Sequence, residues 1–233
     1  MALVSESKRA LVIVAHPDDA DFLCAGSVAR WVSEGCEVSY VLVTSGDKGS
    51  HEEEMTSERL AAVREDEQRA AAKAVGVSGC VFLGYPDGFV EDTAELRGKL
   101  VREIRRFKPD RVVTWDPYRI GHTHRDHRLT GQAALDAVYP LSRSHLYYPE
   151  HLEEGLEPHR VKEALLAGTD RANYHEDVSD FFSKKMKALR CHKSQLGRYP
   201  FGEVRKRVRQ RMADAGKEVG FKLAEAFHRI EWR

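Results

Sequence analysis

Short apolar runs alternate with longer amphipathic stretches along the first 140 residues of the chain. Four runs, each rich in β-branched residues and closed by turn residues, are predicted strands: 10–15, 38–44, 80–83 and 111–114. The stretches between them have helical spacing and are predicted helices: about 22–34, about 56–75 and about 92–107. This alternation predicts an α/β fold of Rossmann-like type, with a mainly parallel sheet, right-handed crossovers and helices on both faces.

The pattern weakens beyond residue 140, where it predicts one further strand and two further helices. The predicted strand is "EALLAG" at 163–168, and the predicted helices are 177–195 and about 203–217. No internal repeat or low-complexity linker divides the chain. We therefore expect a single domain over 1–233, with a core of about 10–196 and a C-terminal helical extension over 197–233.

Composition and charge argue against two classes of partner. Apolar residues make up 42% of the chain and charged residues 32%, and Lys plus Arg equals Asp plus Glu at 37 each. Without a global positive field we expect no nucleic-acid partner, and without an apolar run near ~18 residues we expect no membrane partner. The basic stretch at 205–211, "RKRVRQR", is predicted to be the solvated face of a helix whose inner edge holds Val208 and Met212.

The cysteines and the first residues indicate the compartment. The opening "MALVSESKRA" lacks the apolar centre of a secretion signal. The cysteines are scattered, with no C-x-x-C pair, and are predicted to be free thiols: Cys24, Cys36, Cys80 and Cys191. Free thiols are typical of a reducing compartment, so we expect a cytoplasmic protein.

Most of the unusual polar residues follow the predicted strands, at the loops where open α/β sheets bind ligands. "HPDD" follows the first strand and "WDPYRIGHTHRDH" follows the fourth. If the strand order is 3-2-1-4, these two strands are neighbours at the point where the order reverses. Their loops would then meet across one crevice and bring together seven candidate residues: His16, Asp18, Asp19, His122, His124, Asp126 and His127.

Each loop also has a purely structural interpretation. Pro and Asp are common turn formers, and Asp19 or Asp21 could cap the following helix, as Asp126 could cap a later one. Taken together, this many imidazoles and carboxylates indicate a metal site, because such groups are costly to bury without a partner. Two or three His with one Asp and no Cys fit catalytic zinc, and Fe²⁺ or another divalent metal fits the same donors.

Two other interpretations stay open from the residues. "HTHRDH" satisfies H-x-H-x-D-H, the pattern of metallo-β-lactamase-like hydrolases, which implies a binuclear zinc site in an αββα sandwich. Its place after a fourth βα unit argues against that family. The metallo-β-lactamase-like interpretation would also leave "HPDD" without a role. The non-enzyme alternative is a non-catalytic sugar- or nucleotide-binding Rossmann module, although the chain has no Gly-rich turn directly after its first strand.

The paired motifs resemble those of the LmbE-like, or PIG-L, family of zinc-dependent N-acetylglucosamine deacetylases. "AHPDDADF" is similar to the family's opening motif, and "HRDH" at 124–127 is similar to its second, H-x-D-H. "VTSGDKGS", "REDEQRAAAKAVGV", "LGYPDG" and "HKSQL" are similar too, so the resemblance spans about residues 10–196. It implies a Rossmann-like fold and hydrolysis of an acetamide on an amino sugar or its conjugate. An amidase that cleaves a larger N-acyl group fits the same motifs.

The resemblance assigns roles to the residues of the two paired motifs. It implies that His16, Asp19 and His127 are the metal ligands. It implies that Asp18 is the general base, and that His124 stabilises the tetrahedral intermediate or protonates the leaving amine.

Five further positions match family positions with supporting roles. Asp126 matches a carboxylate that orients a neighbouring ligand. Arg64 and Asp87 match positions that hold substrate hydroxyls or phosphate, and His192 matches a motif near the active site that a neighbouring subunit can supply. His122 stands where some relatives carry a mobile Tyr, which makes it a candidate oxyanion donor. Relatives form trimers or hexamers, which implies a homo-oligomer acting on a small amino-sugar substrate.

Overall fold

Seven strands form one sheet within residues 7–232, the part of the chain that the computed structural model describes. The strands are β1 (Arg9–Val14), β2 (Glu37–Thr44), β3 (Gly79–Tyr85), β4 (Arg111–Trp115), β5 (Glu163–Ala167), β6 (Tyr174–Asp177) and β7 (Ala224–Glu231). Their order is β3-β2-β1-β4-β5-β7-β6. Neighbours among β1 to β5 pair in parallel, whereas β7 is antiparallel to both β5 and β6. The predicted mainly parallel sheet, with order 3-2-1-4 for its first four strands, is confirmed.

Helices connect the strands and cover both faces of the sheet. They are α1 (Asp19–Ser33), α2 (Ser57–Val75), α3 (Ala94–Phe107), α4 (Arg125–Val138), α5 (Glu150–Glu153), α6 (Phe182–Leu189), α7 (Lys193–Leu196) and α8 (Phe201–Lys217). Successive side chains of a strand point to opposite faces. Val12 and Val14 of β1 therefore pack with α1, α2 and α6, while Leu11 and Ile13 pack with α3 and α4. Both faces being buried explains why the strands are continuous apolar runs.

Two local capping residues define the ends of α2. The side chain of Thr56 accepts a hydrogen bond from the backbone N–H of Arg59 at 3.2 Å, which caps the helix. Gly76 ends it in the left-handed conformation, with a φ of 87°. α1 begins at Asp19, three residues before the predicted start, which brings its first turn into the loop that carries the chemistry.

The helix predicted over 177–195 is confirmed only in part, because it starts later than expected and is divided in two. The structure has β6 up to Asp177, followed by a turn and then by α6 and α7. Asp177 Oδ1 accepts hydrogen bonds from the backbone N–H and the hydroxyl of Ser179, at 3.0 and 2.6 Å. Short polar side chains that bond to nearby backbone in this way favour turns over helix.

The C-terminal extension predicted over 197–233 is helical only in its first part. α8 covers the helix expected at about 203–217, but β7 follows it and lies between β5 and β6. The pairing joins Glu163 with Glu231 and Ala167 with Phe227. The C-terminal segment therefore completes the sheet instead of lying outside the core.

Within residues 7–232, no helix combines the length and the apolar composition that a membrane crossing requires. Residues 1–6 and residue 233 lie outside the described residues. The prediction that the chain has no leader segment rests largely on residues 1–6 and has no structural counterpart.

Candidate metal centre

The candidate residues gather where β1 and β4 end side by side. β1 and β4 are hydrogen-bonded neighbours, with Leu11 opposite Val112 and Val12 opposite Val113. The strand order reverses between them, since β2 and β3 lie on one side and β5 on the other. Loops at such a reversal leave a crevice beyond the carboxyl ends of the strands. The convergence of "HPDD" and "HTHRDH" predicted from the sequence follows from this geometry.

Asp19 is held by three hydrogen bonds before any ligand is considered. Its Oδ2 accepts from the backbone N–H groups of Ala15 and His16, at 3.1 and 2.9 Å. The indole Nε1–H of Trp115 donates to the same oxygen at 2.9 Å. The carboxylate is therefore fixed at the start of α1, with Oδ1 free to face the centre.

His16 and His127 bring ring nitrogens close together, and each of them approaches a different oxygen of Asp19. His16 Nδ1 lies 3.1 Å from His127 Nε2, and His127 Nε2 lies 3.2 Å from Asp19 Oδ1. Asp19 Oδ2 is 3.6 Å from His16 Nδ1. Donors about 2.0–2.1 Å from a tetrahedral zinc ion stand roughly 3.3 Å apart. The spacing of these three residues therefore fits a single divalent metal ion.

His124 borders the same centre. Its ring stacks on that of His127, with centroids 4.3 Å apart, and meets the ring of His16 edge-on at 4.7 Å. His16, His124 and His127 each offer a ring nitrogen within 4.8 Å of the others. His124 is exposed at the N-cap of α4, so it faces the open side of the crevice.

The far nitrogen of His16 faces two more carboxylates. His16 Nε2 lies 3.1 Å from Asp126 Oδ2 and 3.0 Å from Asp87 Oδ1. Burial disfavours the charged form of His16, but Asp126, Asp19 and Asp87 together raise its pKa to about 12. This concentration of carboxylates around one imidazole favours a bound cation. Asp126 also holds the His16 Nε2 proton, which directs Nδ1 toward the centre.

Asp126 is itself anchored to the loop after β3. Its Oδ2 accepts from the backbone N–H of Gly88 at 2.6 Å, and its Oδ1 accepts from Val90 at 3.2 Å. The carboxylate is completely buried. It does not cap α4, as the structural interpretation of the sequence allowed, but ties a third loop to the metal centre.

His122 lies behind His127 and forms a chain of hydrogen bonds with it. His122 Nδ1 is 3.3 Å from the carbonyl oxygen of Asp116, and its Nε2 is 3.2 Å from His127 Nδ1. Because the Asp116 carbonyl only accepts, the hydrogen-bond network assigns the His122 proton to Nδ1. His127 then donates from Nδ1 and keeps Nε2 free for a metal. In this arrangement His122 orients His127, and its predicted role as an oxyanion donor stays a prediction.

Asp18 occupies an uncommon backbone conformation beside the ligands. Its φ is 96°, in the left-handed region that a non-glycine residue rarely adopts. The backbone N–H of Asp18 donates to Gln68 Oε1 at 2.8 Å, and Arg64 donates to the carbonyl oxygen of the preceding Pro17 at 2.6 Å. These two contacts hold the carboxylate of Asp18 beside Asp19 without making it a ligand.

The electrostatic setting of Asp18 suits a group that takes up protons near neutral pH. Burial raises the pKa of its carboxyl to about 6, while the guanidinium of Arg64 acts in the opposite direction. Arg64 Nη2 lies 3.6 Å from Asp18 Oδ2. A general base is most effective when its pKa lies near the working pH.

The predicted substrate-binding residues divide into two groups. Arg64 and Asp87 lie at the centre through their contacts with Asp18 and His16, and substrate contacts from them stay predictions. His192 is fully buried, and its Nε2 is 2.8 Å from Asp21 Oδ2, so it does not line the crevice in this structure. Its burial indicates a supporting role within the chain.

Sequence reasoning missed two residues that hold the site together. Trp115 stacks on His127, with ring centroids 4.0 Å apart, and also bonds Asp19. Gln68 joins Asp18 to the buried Asp21, to which its Nε2–H donates at 2.9 Å. An aromatic residue at the end of a central strand was a usable signal for Trp115. Gln68 lies in the middle of α2, where its spacing is that of any inward-facing helix residue.

The fold and donor set define a Rossmann-like protein with a candidate single-metal centre, and the comparisons identify the family. The PIG-L model, described as GlcNAc-PI de-N-acetylase, matches residues 11–138, more than half of the chain. Diacetylchitobiose deacetylase of Thermococcus kodakarensis is 31% identical over 192 residues, covering 82% of this chain and 72% of that protein. The chain belongs to the PIG-L family of metal-dependent deacetylases.

Two further comparisons agree with this assignment over nearly the whole chain. A probable N-acetyl-alpha-D-glucosaminyl L-malate deacetylase 2 of Bacillus anthracis is 26% identical, over 83% of this chain and 84% of that protein. The structure of N,N'-diacetylchitobiose deacetylase from Pyrococcus horikoshii has a TM-score of 0.91 at 30% identity, covering 97% of this chain and 85% of that chain. The predicted family and enzyme class, an amide-hydrolysing deacetylase, are confirmed. The metallo-β-lactamase-like alternative is not supported, because one mainly parallel sheet replaces the two-sheet sandwich it requires.

Proposed function

We propose that this protein is a zinc-dependent hydrolase that removes the N-acetyl group from an N-acetylglucosamine-type sugar or conjugate. The observation that carries the proposal is the close approach of His16 Nδ1 and His127 Nε2 at 3.1 Å, with Asp19 Oδ1 3.2 Å from His127 Nε2. Asp18 lies beside these donor atoms, and the exposed His124 lies at their open side. Membership of a deacetylase family supports the reaction class.

The donor set supports zinc as the metal. Two imidazole nitrogens and one carboxylate, with no thiolate, match catalytic zinc sites, although Fe²⁺ accepts the same donors. When bound, such an ion lowers the pKa of water toward ~7 and polarises the amide carbonyl. The protein's own residues supply the proton transfers and the orientation.

Asp18 is the proposed general base. Its carboxylate is next in sequence to the ligand Asp19, and its backbone is fixed by Gln68 and Arg64. A hydrolytic water must lose a proton as it attacks the amide, and Asp18 takes up that proton. Arg64 then stabilises the charge on this carboxylate between turnovers.

His124 is the proposed acid on the other side of the scissile bond. Burial lowers the pKa of its imidazole, which favours a neutral ring that can first stabilise the intermediate by hydrogen bonding. The amine that leaves an amide needs a proton, and the proton that Asp18 took from the water supplies it, relayed by His124, so that both side chains return to their starting states. Asp126 and His122 fix the rings of His16 and His127, which keeps the metal ligands in register.

The proposed substrate class follows from the family. The relatives carry names of amino-sugar deacetylases, and we extend that class to this chain. Arg64 and Asp87 are the proposed contacts for sugar hydroxyls. The free cysteines support the predicted cytoplasmic location, and a homo-oligomer stays a prediction.

Amine release from acetylated amino sugars tests the proposal. Zinc-loaded protein is incubated with N-acetylglucosamine, diacetylchitobiose and longer N-acyl analogues, and primary amine and acetate are quantified. We expect release from N-acetyl substrates and none after chelation. Asp18→Asn should abolish turnover while retaining metal, because Asp18 is not a ligand. Asp66→Asn, whose side chain is 83% exposed on α2, is the matched control and should behave as wild type.

Three outcomes would contradict this function. Full activity in Asp18→Asn would remove the assigned base. Full activity after complete metal removal would remove the metal from the reaction. Faster hydrolysis of longer acyl groups than of acetyl would make the protein an amidase of the same mechanism.

A further inference from the structure

A second cavity, of about 520 Å³, lies between α8, the first turn of α1 and the start of β7. Its volume falls within the range of about 300–1,000 Å³ typical of ligand sites. Its wall is partly apolar, from residues such as Phe22, Leu23 and Met212. Three arginines border it, and we call it the arginine cavity: Arg119, Arg207 and Arg211.

The arginines of this cavity carry positive charge that the described chain does not neutralise. Within residues 7–232, no carboxylate forms a salt bridge with Arg119, Arg207 or Arg211. The remaining basic residue of the lining, Lys185, is already paired with Glu225 at 2.7 Å. The lining has four basic side chains against two acidic ones, Glu218 and Glu225, which leaves a local excess of two positive charges in a chain whose formal net charge is zero. An anion is the ligand that this excess favours.

The geometry of α8 separates two kinds of arginine. Arg205 and Arg209 lie over the ring of Phe182, at 4.8 and 5.4 Å from its centroid, away from the cavity. Arg207 and Arg211 are one helical turn apart and both line the cavity. Like charges four residues apart destabilise a helix unless a counter-ion relieves them. The sequence interpretation of 205–211 as a uniform solvated face is therefore incomplete.

The arginine cavity is next to the metal centre. Leu23 and Gly168 line it, and a Cβ on Gly168 would come within 2.7 Å of the Trp115 ring and 3.6 Å of Leu23. The other side of Trp115 stacks on His127 at 4.0 Å. One indole thus contacts both Gly168 at the cavity wall and the candidate ligand His127, which places the two sites next to each other.

The loop after β4 provides a second connection. The carbonyl oxygen of Arg119 accepts the backbone N–H of His122 at 3.3 Å, so both belong to one tight turn. His122 orients His127, whereas the side chain of Arg119 extends to the cavity. The same loop therefore contributes to the reacting centre and to the charge of the cavity.

We propose that the arginine cavity is a subsite for an anionic group on the aglycone of the amino-sugar substrate. This inference rests on the proposed deacetylase function, which places the acetamide at the metal centre and leaves the rest of the substrate to extend outward. The apolar wall accommodates the carbon frame of the aglycone, and Arg207 and Arg211 bind its carboxylate or phosphate. The preferred substrates are therefore anionic conjugates of N-acetylglucosamine.

Matched aryl glycosides test this subsite. Phenyl N-acetylglucosaminides that carry carboxylate, phosphate or neutral carboxamide at the same ring position differ mainly in charge. We expect wild-type kcat/KM to be about tenfold higher for an anionic glycoside than for the carboxamide, mainly through KM. Comparing the carboxylate and phosphate arms identifies which anion the cavity prefers. The preference should shrink as ionic strength rises, because both cavity arginines of α8 are exposed.

Variants of α8 provide the decisive control. Arg207→Gln combined with Arg211→Gln should bring the anionic-to-neutral ratio close to one. Arg205→Gln combined with Arg209→Gln removes the same charge from the same helix but away from the cavity, and it should leave the ratio unchanged. If both double variants lower the ratio equally, the effect is general charge and the subsite is wrong.

Failure of the subsite and failure of the reaction give different results. Hydrolysis of all three glycosides at equal efficiency overturns the subsite and leaves the deacetylase function intact. If no glycoside is hydrolysed, calorimetry with the deacetylated carboxylate and carboxamide glycosides still measures binding. Tighter binding of the carboxylate that is lost in the Arg207 and Arg211 double variant supports the subsite, and equal binding overturns it.

Discussion

Two buried polar clusters in this protein have opposite hydrogen-bonding arrangements: one is complete within the chain, and the other is not. At Arg105, a fully buried guanidinium meets backbone carbonyls of the segment after α4, including those of Ser144 and Tyr147, each at 2.8 Å. Arg105 Nε and Nη1 donate hydrogen bonds to the backbone carbonyl oxygens of Ser142 and Tyr148. Donors and acceptors are matched there, so the cluster closes a loop onto α3 and leaves no place for a ligand.

The metal centre has the opposite arrangement. Carboxylates crowd His16, and two imidazole nitrogens of His16 and His127 approach within 3.1 Å. In the neutral tautomers assigned above, His16 Nδ1 and His127 Nε2 both present lone pairs to each other, and a cation between them satisfies both. A buried polar cluster that is internally complete thus indicates structure, and one that is incomplete indicates a ligand.

The largest effect is expected from Asp19→Ala, which removes a carboxylate from the incomplete cluster at the metal centre. We expect bound metal to fall from about one ion per chain to nearly none, and deacetylation to fall by about 10³-fold, because a ligand is lost. Elemental analysis of the purified variant and an amine-release assay measure both effects. A variant that retains stoichiometric metal would show that Asp19 is not a ligand.

The next largest effect is expected at the complete cluster. Arg105→Met leaves several buried carbonyls without donors, so the free energy of unfolding should fall by about 3 kcal/mol. Urea denaturation measures this loss, and metal content of the folded protein should not change. Arg106→Met is the neighbouring control, since its side chain is 53% exposed, and should lose less than about 1 kcal/mol. Equal losses in both variants would remove the distinction.

Asp126→Asn tests whether this carboxylate supports metal binding by orienting the candidate ligand His16. The amide weakens the hydrogen bond that holds His16 Nε2, so metal affinity should fall by about 10- to 100-fold. Competition with a chromophoric chelator measures the affinity. Asp214→Asn, an exposed acid on α8, serves as the control and should leave the affinity unchanged. Unchanged affinity in Asp126→Asn would restrict this carboxylate to anchoring the loop at Gly88.

The smallest expected effect concerns the backbone of the base. Gln68→Leu removes the acceptor for the Asp18 N–H, so kcat should fall about fivefold (~1 kcal/mol) with little change in KM or metal content. Steady-state kinetics with zinc-loaded protein measures kcat and KM separately. A loss confined to thermal stability, with kcat unchanged, would show that Gln68 has no part in positioning Asp18.

Much of the fold was predictable because its signals are local. The apolar runs of β1 to β5 and the helical spacing over about 56–75 are properties of neighbouring residues, and the structure follows them. β7 was missed because its residues become a strand only through pairing with β5, where Glu231 meets Glu163. The helix expected at 177–195 begins only at Phe182, because side-chain bonds at Asp177 favour a turn that helical periodicity does not register.

The sequence by itself determined which residues are candidates for the metal centre, because "HPDD" and "HRDH" place ligand types at the ends of two strands. Only the tertiary structure decided how those residues divide their work. His122 became the support of His127 and His192 became a buried partner of Asp21, since hydrogen-bond partners come from distant segments. The same holds for Arg119 and Arg207, which are far apart in the chain and meet at one cavity through the packing of α8 against the sheet.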